Sequence, residues 1–387
     1  MNAPERPAEL HCTGLRGTAP LSSGPVVCVS HGFQTNYERG FCNALAHNHV
    51  DVTLITSDRN LPEELHAAVN QVNLRGSQEE GRPKWQKALN LLRYHALLLW
   101  YVVGRRQDVV HVIGLITPLL WRGLIEGLWF RWVARRYVLT VHDLLPHERH
   151  DRVTKWLCRQ CYRLPHVLVV HTERMANRLR SEFGIGAGRV VVMEHGIEVI
   201  AELESSKTAM PQTIVPTLLA FGGVSSRKGF DLLLDALQQV NFEFRLIIAG
   251  QCVDRDYHLQ IDQLLQSHPR RVWIAWRDKF LPEEEMEALF GCCDLVVLPY
   301  RYIDQSGVLF QALRFGVPVV ATRVGDFDRY VNDTVGLITE PNDIHALARA
   351  LDSWYARRDS YKRSAIRKFG LRFDWKSTVL SLSSAYR

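Results

Sequence analysis

Short apolar segments rich in β-branched residues alternate along the chain with longer segments of helical periodicity. In the first half the apolar segments are residues 26–30, 52–56, 109–113, 138–141, 167–170 and 190–193. In the second half they are residues 218–221, 246–249, 272–275, 295–298, 319–321 and 336–338. Because strands that alternate with helices form parallel sheets, the pattern predicts two α/β units.

A polar segment without periodicity, residues 201–216, separates the two units. The 387 residues are also enough for two domains. We therefore predict a flexible N-terminal tail over 1–24, an N-terminal domain over 25–202, a C-terminal domain over 203–366 and a C-terminal segment over 367–387.

Composition and charge narrow the class of protein only in part. With 47% hydrophobic and 23% charged residues the chain is typical of folded soluble proteins, and its formal charge of +6 favours anionic partners of any kind. Residues 1–24 lack an apolar segment, and the longest apolar run, 96–103, is far shorter than the ~20 residues that span a bilayer. We expect a cytoplasmic protein.

The eight cysteines are scattered, and only Cys158 and Cys161 form a CxxC sequence. Their neighbourhood has the periodicity of an amphipathic helix, so we expect reduced thiols, with a redox pair as the alternative.

The loop after residues 218–221 combines glycines with basic residues. Gly222 and Gly223 let the backbone approach a ligand, and Lys228 places a positive charge where a helical pattern begins. Together with Arg227 this arrangement suits a diphosphate. The alternative is that both basic side chains belong to a solvated turn.

A second loop follows the apolar segment 295–298. It carries Ser306 and Gly307, and a helical pattern begins at Val308, so free backbone amides point towards the loop and favour an anion. Gln311 lies one helical turn further and can reach a pair of ribose hydroxyls.

Polar residues also follow strands of the first half. Gly32 and Asn36 lie in the loop after the first strand, where Asn36 can alternatively cap a helix. His142 and Asp143 follow the segment 138–141, and His147 lies nearby. We expect Asn36, Asp143 and His147 to contact an acceptor, with a purely structural His142 as the alternative. The histidines and Asp143 have no metal-binding spacing, so no metal is predicted.

These loops, in this order and spacing, resemble glycosyltransferase family 4, the retaining enzymes of GT-B fold. The match covers most of the second half, with Lys228-Gly229, Ala249-Gly250, Ser306-Gly307, residues 316–322 and Gly325. The resemblance implies two Rossmann-like domains whose parallel sheets face each other across a cleft. It also implies a nucleotide-diphosphate sugar as co-substrate, no metal cofactor, and donor contacts by Gly32, Gly222, Gly223, Arg227, Lys228, Gly250, Phe280, Ser306, Gly307, Val308 and Gln311.

The resemblance further implies that His142 and Asp304 are catalytic, and that the segment around Trp375 forms a C-terminal helix crossing back to the first domain. Two positions depart from the family pattern. Gln311 stands where the second of two glutamates is usual, and Gly223 stands near the place of a usual arginine, for which Arg227 is the candidate substitute.

We therefore expect a retaining hexosyltransferase that transfers sugar to a carbohydrate or lipid-linked acceptor, for a cell-surface polysaccharide or glycolipid. The alternative is a non-catalytic GT-B subunit that binds a nucleotide sugar or a partner glycosyltransferase. A Rossmann dehydrogenase is excluded because no GxGxxG follows the first strand. Nucleic acid is not an expected partner, since only net charge favours it.

Tryptophan and arginine alternate over residues 119–136, and residues 84–106 have a similar composition. Such segments are typical of interfacial helices on anionic membranes. The alternative is a helix that faces the core and exposes its arginines. The first interpretation predicts peripheral contact at the inner face of the cytoplasmic membrane, which lipid-linked acceptors require.

Overall fold

The computed structural model describes residues 21–22, 24–31, 35–58, 62–79, 81–106, 108–115, 120–146, 151–198 and 215–387. Most of the predicted tail over 1–24, most of the polar segment 201–216, and two predicted site residues, Gly32 and His147, lie outside these ranges.

The first described unit is a parallel sheet with helices on both faces. Its seven described strands have the order β3-β2-β1-β4-β5-β6-β7. The strands are β1 (Val26–Val29), β2 (Val52–Thr56), β3 (Val69–Asn73), β4 (Val109–Val112), β5 (Arg136–Val141), β6 (Val167–Val170) and β7 (Val190–Val192). The helices are α1 (Thr35–His47), α2 (Lys84–Val103), α3 (Leu120–Val133), α4 (Arg152–Arg163) and α5 (Glu173–Phe183).

The second unit repeats this architecture. Its six described strands have the order β10-β9-β8-β11-β12-β13, again all parallel. The strands are β8 (Thr217–Phe221), β9 (Arg245–Ala249), β10 (Ile274–Arg277), β11 (Leu295–Leu298), β12 (Val319–Thr322) and β13 (Gly336–Thr339). The helices are α6 (Phe230–Leu237), α7 (Arg255–Ser267), α8 (Glu283–Cys292), α9 (Gly307–Phe315), α10 (Phe327–Tyr330), α11 (Ile344–Arg357) and α12 (Arg363–Gly370).

The two sheets confirm the predicted fold class of two Rossmann-like α/β domains. In each sheet the strand order reverses beside the first strand, between β1 and β4 and between β8 and β11. Loops at the carboxyl ends of the strands on either side of such a reversal form a crevice, which is the usual ligand site of this architecture. The loops after β1, β8 and β11 therefore define where a site is expected.

The chain end packs against the first domain. It contains two short helices, α13 (Trp375–Thr378) and α14 (Ser383–Tyr386). Trp375 and Tyr386 are buried in the apolar cluster on one face of the first sheet. The Tyr386 hydroxyl bonds Nδ1 of His111 on β4 over 2.7 Å, so the C-terminal residues are integral to the N-terminal core.

Cys158 and Cys161 are free, buried thiols on α4. Burial raises the pKa of Cys158 to about 11 and that of Cys161 to about 12, so both stay protonated near neutral pH. Within the described ranges, none of the helices is both long and apolar enough to cross a bilayer.

Candidate functional site

A cavity of about 290 Å³ lies between the two domains. The first domain contributes α1 and the turn after β7, and the second contributes the end of β8 and the first turns of α8 and α9. Its wall includes four predicted site residues, namely Asn36, Gly307, Val308 and Gln311. The structure thus brings residues of both halves of the sequence to one cleft.

Lys228 lies beside the start of α9, although 80 residues separate it from Val308. A Cβ at position 222 would overlap Lys228 Nζ and lie 3.6 Å from Val308 Cγ2, so Gly222, Lys228 and Val308 meet at one point. Gly222 has φ of 99°, which favours glycine. Among the described residues no carboxylate pairs with the amine, which lies over the ring of Tyr300.

Burial without a carboxylate partner determines the pKa of Lys228. The side chain is 8% exposed, and burial, with a smaller contribution from Arg227, lowers its pKa to about 7. Nη1 of Arg227 is itself buried without a hydrogen-bond partner among the described residues. Two neighbouring cationic side chains with unmet hydrogen-bonding capacity favour an anion between them.

The first turn of α9 adds backbone donors at the same place. Ser306 precedes the helix in an extended conformation and makes no side-chain cap, while its hydroxyl lies 3.4 Å from that of Tyr300. The first amides of an α-helix have no partner within the helix, and their dipoles favour negative charge. Gly307 and Val308 therefore present amides beside Lys228, as a phosphate requires.

Glycines also let two loops of the second domain touch. Gly250 follows β9 with φ of 149°, and a Cβ there would overlap the Gly222 carbonyl. Gly223 lies in the same turn, and its added Cβ would meet only the Gln251 carbonyl at 3.9 Å. Phe280, the predicted base contact, is 79% exposed and does not line the cavity.

His142 lies below the cleft, where its ring contacts that of Tyr37 on the cavity wall. Burial and neighbouring His195 lower the pKa of His142 to about 3, and burial also lowers that of His171. His171 Nδ1 lies 2.9 Å from the Met193 carbonyl, which can only accept, so neutral His171 donates there and its Nε2 accepts from His142 Nδ1 at 3.1 Å.

This hydrogen-bond order leaves Nε2 of His142 without a proton. The atom is buried and has no hydrogen-bond partner among the described residues. In this tautomer the ring cannot act as a general acid, and because His142 does not line the cavity, a ligand in the cavity does not reach Nε2 in this structure.

Asp304 joins the two domains. Its Oδ1 accepts hydrogen bonds from Arg178 on α5 (2.7 Å) and from the Tyr302 hydroxyl (3.2 Å), and its Oδ2 accepts one from the Leu144 backbone N–H (3.2 Å). Burial and the nearby Asp304 raise the pKa of Asp143 to about 7. The catalytic role of Asp304 stays a prediction, and in this arrangement the carboxylate holds the domains together.

Several residues of the cleft were not identified from the sequence. Arg39 on α1 forms a two-bond contact with Glu283 at the start of α8, with N–O distances of 2.6 and 3.0 Å, and also contacts Glu64 and Glu198. His195 stacks on Phe310 of α9. No local motif marks these contacts, because their partners are far apart in sequence.

The described residues contain no group of three or more His, Cys, Asp or Glu side chains arranged to hold a metal ion.

Two family models match adjacent parts of the chain. Residues 34–199 match the family described as Glycosyltransferase Family 4, and residues 215–357 match that described as Glycosyl transferases group 1.

Individual proteins show similarity over different lengths. D-inositol 3-phosphate glycosyltransferase of Corynebacterium urealyticum is 23% identical over 353 residues, which span 84% of this chain and 82% of that protein. O-antigen chain mannosyltransferase B of Escherichia coli is 30% identical over 178 residues, 44% of this chain and 45% of that protein.

Among solved structures, Anabaena HepE in complex with UDP-glucose has a TM-score of 0.69 at 17% identity, covering 92% of this chain and 98% of the other. At this identity the likeness concerns the fold. Together with the family matches over both domains, it establishes that the chain belongs to the family 4 glycosyltransferases of GT-B fold.

Proposed function

We propose that the protein transfers a hexosyl group from a nucleotide-diphosphate sugar to a carbohydrate or lipid-linked acceptor, with retention of the anomeric configuration. The observation that carries the proposal is the buried Lys228 amine beside Gly222 and the first turn of α9, without a carboxylate partner in the described part of the chain. A diphosphate supplies the missing charge.

The same groups explain how the site would accelerate transfer. Negative charge grows on the diphosphate as the glycosidic bond breaks, and Lys228 with the α9 amides stabilises it without reorganising. If movement of the domains extends the cavity to His142, its Nε2 would accept a hydrogen bond from a sugar or acceptor hydroxyl and so orient it. Closure of the cleft around the substrates would limit access of water, which favours transfer over hydrolysis.

Relatives support the choice of substrates. HepE was crystallised with UDP-glucose, and the two similar transferases are named for an inositol phosphate and an O-antigen chain. A cell-surface polysaccharide or glycolipid is the product class that we propose for this chain.

The second candidate function is a non-catalytic GT-B subunit. Two observations favour it: Gln311 occupies the cleft wall where a carboxylate is usual, and both oxygens of Asp304 are engaged in contacts to the first domain or its own loop. Such a subunit would bind the donor without turning it over, or would bind a partner glycosyltransferase.

Thermal shift with UDP-, GDP-, ADP- and dTDP-sugars tests donor binding, because a ligand that binds the folded state stabilises it. We expect one nucleotide to raise the melting temperature of the wild type and not that of Lys228→Ala. Release of the free nucleoside diphosphate with a saccharide acceptor then separates enzyme from subunit. Absence of a shift with every nucleotide would contradict the transferase and favour a non-catalytic subunit that binds a partner glycosyltransferase.

A further inference from the structure

Helix α3 exposes an apolar stripe that no described element covers. Trp121, Ile125, Leu128 and Trp132 follow one another at intervals of four, three and four residues, which places them on one face of the helix. All four are exposed, Trp132 to 74%. The opposite face, with Phe130, is buried in the core. The stripe is therefore additional to the face that folding uses.

Helix α2 carries a second stripe, whose exposed apolar residues follow at intervals of four, three and eight residues and so share one face. Trp85, Leu89, Leu92 and Trp100 are all exposed, Trp100 to 76%. The two helices are neighbours, since the indole N–H of Trp129 on α3 donates to the Leu99 carbonyl over 3.0 Å. The two stripes thus belong to adjoining helices of one layer.

Helix α4 extends the surface on the other side of α3. Val153 and Trp156 are exposed, while Cys158 and Cys161 are buried. The Cys161 thiol lies 3.5 Å from the Leu120 carbonyl at the start of α3. The outward faces of α2, α3 and α4 together form what we define as the docking surface.

The exposed charged side chains on these three helices are all basic. The acidic residue within 84–103, 120–133 and 152–163 is Glu126, which is buried and contacts His31 and His95. The basic residues of the same ranges are Lys84, Lys87, Arg93, Arg122, Arg131, Arg152, Lys155, Arg159 and Arg163. The docking surface therefore combines large apolar side chains with positive charge.

We propose that the docking surface binds the face of an anionic lipid bilayer. Indole rings are favourable at the boundary between headgroups and acyl chains, and each Lys or Arg near an anionic leaflet adds about 1 kcal/mol of attraction. A second copy is a poorer occupant, because a symmetric interface would bring the basic residues of one chain against those of the other.

The orientation of the helices relates this surface to the cleft. Each helix connects two parallel strands, so it runs antiparallel to them and begins at the carboxyl edge of the sheet. That edge faces the cleft, and the α3 stripe accordingly starts there with Trp121. Given the proposed transferase function, a lipid-anchored acceptor in the bilayer lies next to the cleft entrance.

The test is flotation of the full chain with vesicles of phosphatidylcholine alone and with vesicles that also contain an equal part of phosphatidylglycerol. We expect flotation with the anionic vesicles only, weakened by added salt. The double variant Leu128→Ser/Trp132→Ser should lower the partition coefficient at least about tenfold, because two large apolar side chains leave the interface.

The matched control is Val272→Ser/Trp273→Ser, which removes an exposed apolar pair from the second domain. It should float as the wild type does, and unchanged melting temperatures of both variants ensure that folding is not the cause. Wild type that stays at the bottom of the gradient, or that floats equally with neutral vesicles, overturns the proposal. So does a dimer in light scattering that Leu128→Ser/Trp132→Ser dissociates.

Flotation needs no nucleotide sugar, so the docking proposal and the transferase proposal fail separately. A protein that floats but binds no nucleotide keeps the docking surface and loses the proposed reaction. A protein that binds a donor and never floats keeps the reaction and loses the docking surface.

Discussion

Lys228 is both the strongest feature of the candidate site and the most sensitive to pH. Its pKa of about 7 results from burial and, to a smaller extent, from Arg227. The protonated amine binds a diphosphate, whereas the neutral amine does not attract it. As pH rises through about 7, the free protein loses the proton that the complex requires, so binding must take the proton up from solvent.

We predict that affinity for the nucleotide-diphosphate sugar, which has no phosphate that titrates near neutral pH, is constant at low pH and falls by about tenfold per pH unit above about 7, until the pKa of the complex is reached. Calorimetric titration from about pH 6 to about pH 9, in buffers of different ionisation enthalpy, measures both the affinity and the proton uptake.

Lys228→Arg is the matched variant, because a guanidinium stays charged throughout this range. Its affinity should be lower than that of the wild type, since the larger group fits the Gly222 turn poorly, but it should not vary with pH. A slope that persists in Lys228→Arg and vanishes in Asp143→Asn would assign the titration to Asp143 instead, whose pKa is also about 7.

At the scale of elements, helix α1 is fixed by the indole of Trp375. A Cβ at Gly40 would overlap this ring, and so would one at Gly196 in the turn after β7. The side chain of Trp375 thus fills space that two glycines leave open. It joins α1, the turn after β7 and the chain end into one packed unit.

We predict that Gly40→Ala destabilises the protein by about 1–3 kcal/mol, because the cost of overpacking exceeds the gain in helix propensity. Gly291 in α8 is the matched control, since an added Cβ there has no neighbour within 4 Å. Gly291→Ala should stabilise the protein by up to about 1 kcal/mol. Urea unfolding measures the free energy of unfolding of the two variants. Equal changes in both would show that the Trp375 indole moves aside to accommodate the methyl group at position 40.

The strands show what the sequence could and could not predict at this scale. All twelve predicted segments, such as 52–56, coincide with strands to within two residues at each end, because buried parallel strands are continuous apolar runs. The segment 272–275 is displaced, since residues 271–273 form a 3₁₀ turn and β10 begins at Ile274. Strand β3 was missed because Val69–Asn73 is polar and only partly buried at the sheet edge.

The parts of the candidate site that lie within a single loop were predictable from the sequence. The glycine turn with Lys228 and the first turn of α9 are local patterns, and the structure brings them together. The contacts of Asp304 with Arg178 and Leu144 depend on how the domains meet, which no local pattern contains. The same reason explains why Arg39 was missed.

At the scale of the whole molecule, Arg39 forms an ion pair across the cleft. It is 8% exposed and lies among Glu64 and Glu198 of the N-terminal part and Glu283 of the second domain. Burial lowers the pKa of Arg39, but the three carboxylates together outweigh it and raise the pKa, so the guanidinium stays charged at every working pH. Its removal would leave three acidic side chains facing one another across the cleft.

We predict that Arg39→Gln opens the cleft, because repulsion replaces the two-bond contact with Glu283. The radius of gyration from small-angle X-ray scattering should increase, and donor affinity should fall because the ligand contacts both walls. Arg323→Gln is the control, since its pair with Glu340 is exposed and lies within the second domain.

The variant Glu283→Gln tests whether the cleft of Arg39→Gln opens through charge repulsion or through loss of packing. This variant relieves the repulsion that Arg39→Gln creates, so the double variant should be more closed, and should bind the donor more tightly, than Arg39→Gln alone. Identical scattering of Arg39→Gln and Arg323→Gln would mean that other contacts, such as that of Arg178 with Asp304, are sufficient to keep the domains together.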